Sequence, residues 1–147
     1  MKKRKILENL IINYLKSNSR NKIVIHRNPI ANLKPIDIGL DLAKQIEVLT
    51  NDNRFTLKAK SKLDELISHS IHKHYQFGDT ISIKNLGILF EPSLKFDFYS
   101  FIDNLSKTNC LFLQWDGETD KENLYFLTKS NGIKINIKNL SNIQYEI

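Results

Sequence analysis

Apolar residues in the first half of the chain recur mainly at helical spacing. In KILENLIINYLKS, residues 5–17, Ile6, Leu7, Leu10, Ile11, Tyr14 and Leu15 share one wide face, which predicts an amphipathic helix. NKIVIHRNP follows. There Ile23, Val24 and Ile25 form a continuous apolar run closed by Pro29, the pattern of a short strand buried on both faces. In IDIGLDLAKQIEVL, Ile38, Leu42, Ile46 and Leu49 fall on one side, and Asp41 lies early, near the positive end of the dipole. A second helix is predicted there, ended by the turn-prone residues 50–53. The stripe Leu63, Leu66, Ile67 and Ile71 predicts a third helix from Phe55 to about His74, broken by Phe77, Gly78 and Asp79.

The second half alternates strands and helices more sharply. Ile81, Ser82 and Ile83 read as a strand. FDFYSFIDNLSK carries Phe98, Phe101, Ile102 and Leu105 on one helical face, and CLFLQW has the character of a core strand. Strand, helix, strand in that order predicts a crossover onto a parallel neighbour. After Trp115 the polar turn DGETDKEN leads to LYFLT, and the turn at residues 130–132 leads to IKINI. In that last run Ile133, Ile135 and Ile137 alternate with Lys134 and Asn136, as in a half-exposed strand, so a small antiparallel ending is expected. The predicted fold is α/β with three layers, a mostly parallel central sheet and a short antiparallel C-terminal addition.

A chain of 147 residues is the size of one ordinary domain, and no repeat or linker divides it, so one domain over residues 1–147 is expected. Cys110 is the only cysteine and has apolar neighbours, which excludes an internal disulfide and reads as a buried thiol in a reducing cytoplasm. No apolar run is long enough to span a membrane, and Glu8, Asn9 and Asn13 interrupt the N-terminal segment, which argues against a signal peptide. A net charge of +6 favours contact with polyanions, yet the basic residues are dispersed. The one cluster is Lys2, Lys3, Arg4 and Lys5, which reads either as a nucleic-acid contact or as a solvated helix start.

The run NLGILFEPSLKFDFYSFIDNLSK, then a hydrophobic strand, Trp115, Gly117 and Leu124-Tyr125, resembles BrxF, the small P-loop protein of type 3 BREX bacteriophage-defence systems. The likeness covers roughly residues 35–125 and is clearest after Ile81. It is carried by Asn85, Leu89, Phe90, Glu91, Pro92, Leu94, Lys95, Asp97, Leu105, Ser106, Trp115 and Gly117. It implies a P-loop-like sheet, with IDIGLDLAKQI as the second strand and the helix after it.

The departures from the family pattern bear on chemistry, because phosphoryl transfer needs a phosphate cradle, a carboxylate for magnesium and a group that positions water. No G-x-x-x-x-G-K-[ST] run exists, and the five glycines, at positions 39, 78, 87, 117 and 132, form no phosphate loop. Against the family, Lys84 stands in place of the magnesium-holding Asp, Gly87 in place of a Glu, and Lys107 in place of an Arg. The resemblance therefore implies a degenerate relative, with the phosphate loop and its helix deleted or replaced by residues 28–34. Lys84 reads either as an exposed residue or as a cation standing where the metal stood, compensating Glu91 or Asp97.

HSIHKH holds His69, His72 and His74, but on a helix the third points away from the first two, so no metal site is expected. Trp115 reads as a core-edge aromatic more readily than as a recognition surface. Phe96, Phe98, Tyr99 and Phe101 read as packing ahead of base stacking, and no Ser-His-Asp or Cys-His pattern has informative spacing. The expectation is a non-catalytic cytoplasmic scaffold without cofactor or metal, acting through other defence-system proteins and compatible with self-association. The alternatives are a small basic DNA-binding module and a nucleotide binder without hydrolysis.

Overall fold

The computed structural model describes residues 2–46, 54–126 and 132–145; the side chains of residues 2–8, 46 and 93 lie outside the description. The elements are α1 (Lys2–Leu15), β1 (Ile23–His26), β2 (Ile36–Asp37), α2 (Ile38–Ile46), α3 (Phe55–Ser68), β3 (His72–His74) and β4 (Gly78–Lys84). They continue with α4 (Phe98–Thr108), β5 (Cys110–Gln114), β6 (Asn123–Phe126), β7 (Ile133–Asn136) and β8 (Asn142–Tyr145). The fold is α/β. A six-stranded sheet runs β2-β4-β5-β1-β8, with β3 beside the first half of β4, and β6 pairs with β7 in a separate antiparallel hairpin. All pairs along the main path are parallel, including the β4–α4–β5 crossover that the sequence predicts.

Continuous apolar strands bury both faces of the sheet. Ile23, Ile25, Ile81, Ile83, Leu111 and Leu113 belong to the larger core, closed by α2, α3, α4 and the hairpin. Val24, Cys110 and Phe112 belong to a second cluster, capped by Ile11 of α1. These two packed faces make the three layers. Of the predicted face of α1, Ile11 is buried, Tyr14 and Leu15 are half-buried, and Leu10 faces solvent. Tyr14 does a polar job: its hydroxyl donates to Asn21 O or Ser141 O at 2.8 Å each and accepts from Ile23 N, which ties α1 to the starts of β1 and β8.

Several boundaries differ from the sequence pattern for identifiable reasons. The third helix stops at Ser68, not near His74: the Ser70 hydroxyl donates to Leu66 O at 2.6 Å, and the chain turns back as β3. That hairpin closes at Gly78, whose φ of 74° suits glycine. His72 and His74 therefore lie two apart on one strand, not on a helix with His69, which is the C-cap residue of α3. His74 is buried against Phe77, ring centroids 4.2 Å apart. Strand β8 escapes the sequence reading because SNIQYEI has no apolar run, being a half-buried edge. Ile133 is exposed, while Ile135 and Ile137 are buried. The predicted turn at residues 50–53 and most of the turn at 130–132 lie outside the described residues.

The β1–β2 connection is the unusual feature. Ile36, Ile83, Leu113, Ile25 and Gln144 lie in one row across the sheet, so β2 enters at the level where β1 ends. The chain need not descend and return. Residues 27–35 only step sideways past β5 and β4, roughly 14 Å at 4.8 Å per strand, well within the roughly 30 Å that nine residues can span. No helix occurs in residues 27–35.

Candidate functional site at the carboxyl end of the sheet

In parallel sheets, ligands sit at the carboxyl ends of the strands, where successive connections diverge. Here those ends carry Asp37 from β2, Lys84 and Asn85 after β4, Trp115 after β5, and His26 and Arg27 at β1. Asn85 adopts a left-handed conformation with φ 55°, which Asn tolerates better than most residues and which turns the chain sharply out of β4. Its amide nitrogen donates to Asp37 Oδ1 at 2.8 Å, and its carbonyl accepts from Gly39 N at 2.9 Å. Asp37 Oδ1 also accepts from Leu40 N at 2.8 Å, so this aspartate caps α2. The Leu40 amide, then the Asn85 amide and the nearby Lys84 charge, lower the Asp37 pKa. Gly39 is glycine because a Cβ there would run into the Asn85 side chain.

Lys84 therefore stands beside Asp37. Asp97, the acid offered by the sequence as its partner, instead caps α4, accepting from Ser100 N at 3.0 Å and Ser100 Oγ at 2.8 Å, and its pKa is lowered chiefly by the first of these. Glu91 is exposed between two short 3-10 turns, Gly87–Phe90 and Pro92–Leu94, the second opened by Pro92. Gly87 has a packing reason to lack a side chain: a Cβ would lie 3.0 Å from the Phe126 ring. Phe90 stacks on Phe126 with centroids 4.8 Å apart and packs near Phe98 and buried Trp115, so these aromatics form an internal cluster.

The remaining resemblance residues also serve the fold. Ser106 is buried, donates to Ile102 O at 2.6 Å and receives the Asn21 amide at 2.9 Å. Lys107 pairs with Asp103 at 3.3 Å one turn away on α4, and Arg20 reaches the same carboxylate at 3.3 Å. Gly117 passes so close to Tyr125 O that a Cβ would collide with it. Thus Lys84, Asn85, Gly87, Phe90, Trp115 and Gly117 belong to the carboxyl edge and its aromatic support, whereas Asp97, Ser106 and Lys107 are distributed along α4. The side chains of Lys2, Lys3, Arg4 and Lys5 lie outside the described residues, so their relation to this edge is not drawn.

Sequence reasoning missed Arg27, Asp37 and Gly39. Arg27 lies directly after β1 and donates from its two terminal nitrogens to Asp116 O and Gly117 O, each at 2.9 Å, lashing the ends of β1 and β5 together. An aspartate just ahead of Ile38 was the available capping signal. His26 Nδ1 donates to Asn28 O at 2.8 Å, and burial lowers the imidazole pKa, so the ring is neutral with Nε2 turned inward. Its neighbour is Phe112, edge-on at 6.1 Å, which offers no carboxylate to orient a general base. Cys110 is buried and its thiol is pushed up to about 12 by desolvation, the state of an inert core cysteine. Among the described residues no three metal-ligating side chains converge, and no helix is long and apolar enough to cross a membrane. Comparison with protein-family models, curated proteins and solved structures finds no match to this chain.

Proposed function

We propose that the protein is a non-catalytic adaptor, similar to BrxF, that serves a BREX-type bacteriophage-defence assembly in the cytoplasm through contacts with its protein components. The defence setting rests on the resemblance in residues 81–117. The non-catalytic reading is carried by one observation: the carboxylate of Asp37 and the guanidinium of Arg27 at the carboxyl edge are engaged by neighbouring groups of the fold. Asp37 Oδ1 accepts hydrogen bonds from both the Leu40 amide and the Asn85 side-chain amide, Lys84 places an ammonium beside it, and Arg27 is committed to two backbone carbonyls. A nucleotide site needs donors aimed outward at phosphates and a carboxylate free for magnesium.

A melting experiment tests this directly. A ligand at 100 times its Kd stabilises the folded state by about 2.7 kcal/mol, several degrees for a domain of this size. Millimolar Mg·ATP is expected to leave the melting temperature unmoved, while the protein co-purifies with products of adjacent genes. A nucleotide-dependent shift or ATP turnover would refute the non-catalytic reading. Tight DNA binding that collapses with salt and on replacing Lys2, Lys3, Arg4 and Lys5 by Glu would instead establish a nucleic-acid module.

A further inference from the structure

A groove of about 520 Å³ between α3 and α4, floored by Leu42, Leu89 and Leu94, carries charges of both signs on its rim and selects no occupant. The free side of β8 does, because the groups left unpaired there belong to the main chain. β8 ends the main sheet, parallel to β1. In a strand the N–H and C=O of one residue point to the same side, and successive residues alternate. Lys22 O and His26 O accept from Leu111 N and Trp115 N of the β5 segment, each at 2.8 Å, so Val24 shares their side while Ile23 and Ile25 face β8. Val24 is level with Ile143, which therefore turns its N–H and C=O inward, between Ile23 and Ile25. Asn142 and Gln144 turn theirs outward, where no main-chain bond reaches them among the described residues. Their side chains are already used within the protomer: Asn142 Nδ2 donates to Leu140 O at 2.8 Å, and Gln144 Nε2 donates to Asp120 O at 2.9 Å. Native sheets protect exposed edges with charges, proline or very short strands. The far side of this sheet is protected in that way, since β2 has two residues and passes straight into α2, and β3 carries Lys73. The β8 sequence NIQY has no charge and no proline.

We infer that β8 is the pairing surface for a second copy of this chain, strand against strand and antiparallel about a two-fold axis at Ile143. The outward groups are complementary to themselves. Run antiparallel, Asn142 of one copy faces Gln144 of the other, and every outward N–H meets an outward C=O. The axis then falls at Ile143, which opposes its own copy in a non-hydrogen-bonded pair with Cα atoms about 4.5 Å apart. That residue is half-buried against the second core cluster beside Tyr145, so two β-branched side chains meet across the axis and extend the cluster. Apolar area continues onto α1. Tyr14 ties that helix to Ser141 at the foot of β8, and Leu10, one turn before Tyr14 on the same side of the helix, is 42% exposed. Closure selects a second β8 over the far side of the sheet: joining β8 to the two-residue β2 gives almost no ladder and leaves a free edge at each end, whereas β8 with β8 uses up the edge in a closed pair. Two six-stranded sheets thereby become one continuous sheet. The pair stands whether or not the protein is an adaptor.

Sedimentation of the full chain at submillimolar concentration is expected to show a monomer–dimer equilibrium that strengthens with salt, because each copy carries +6 while β8 itself is uncharged. In the dimer, hydrogen exchange at the Asn142 and Gln144 amides should slow about tenfold or more relative to dilute protein. Ile143→Cys should cross-link to its own copy under mild oxidation, since the Cα separation suits a disulfide and the natural Cys110 is buried. Tyr99→Cys, exposed on α4, should not. Asn142→Pro should abolish the dimer and leave the melting temperature of the monomer nearly unchanged, because the N–H it removes is one that β1 does not use. Should that variant fail to fold, the cysteine and exchange results decide. A chain that stays monomeric in high salt would overturn the inference. So would a dimer whose Asn142 and Gln144 amides stay unprotected, cross-linking as efficient at position 99 as at 143, or growth into filaments.

Discussion

The carboxyl edge of the sheet and the α3–α4 groove present opposite surfaces. At the edge, Asn85, Asp37, Gly39 and Leu40 satisfy one another, and Arg27 crosses to the 115–117 turn, so its polar atoms are turned inward. Along the groove, exposed Lys60 and Asp64 rim an apolar floor of Leu42, Leu89 and Leu94, and the Lys60 charge is among the groups that lower the Asp97 pKa. Position in an α/β fold therefore does not by itself locate a binding surface.

Substitutions can break this contrast. Gly117→Ala should produce the largest loss, about 1–3 kcal/mol, because the new Cβ must displace the Tyr125 carbonyl in a packed turn; urea denaturation measures it. Asp37→Ala should cost about 1 kcal/mol through loss of the α2 cap, leaving the Asn85 amide without its acceptor. The sign of the accompanying pH effect follows from the lowered Asp37 pKa: its contribution is present above the unfolded value, near 3.9, and is lost as pH falls through the lower folded value. Denaturation midpoints followed from pH 6 to pH 2 should thus show a shallower acid decline in Asp37→Asn than in the natural chain. The smallest effect belongs to the groove. Lys60→Glu should change stability by no more than about 0.5 kcal/mol, since the residue is exposed. A large loss there would mean that Lys60 serves the fold and would erase the distinction between the two regions.

Most of the architecture is legible in the sequence because burial is written as pattern. The β1 run of Ile23, Val24 and Ile25 and the β5 run of Leu111, Phe112 and Leu113 have no polar interruption, and both are central strands buried on both faces. The parts that are not legible depend on partners distant in sequence. Strand β8 is recognisable only once β1 is beside it, and β3 only once Gly78 has turned the chain back. At the candidate site Lys84 and Gly87 are visible in the sequence, but what surrounds them is not. Gly87 makes room for Phe126, thirty-nine residues away, and Lys84 neighbours Asp37 rather than Glu91 or Asp97. The groove is invisible to periodicity for the same reason, since Leu63 and Ile67 read alike whether a second helix covers them or stands apart.

The sideways passage from β1 to β2 has a consequence for how this sheet could change over time. Its two anchor points, His26 and Ile36, are fixed by ladders to β5 and β4 respectively, not by the chain between them. Because that chain is longer than the gap demands, added residues would bulge outward at little entropic penalty, roughly 0.6 kcal/mol for each doubling of length. A whole helix can thus be gained or removed at this single seam while every strand register stays where it is.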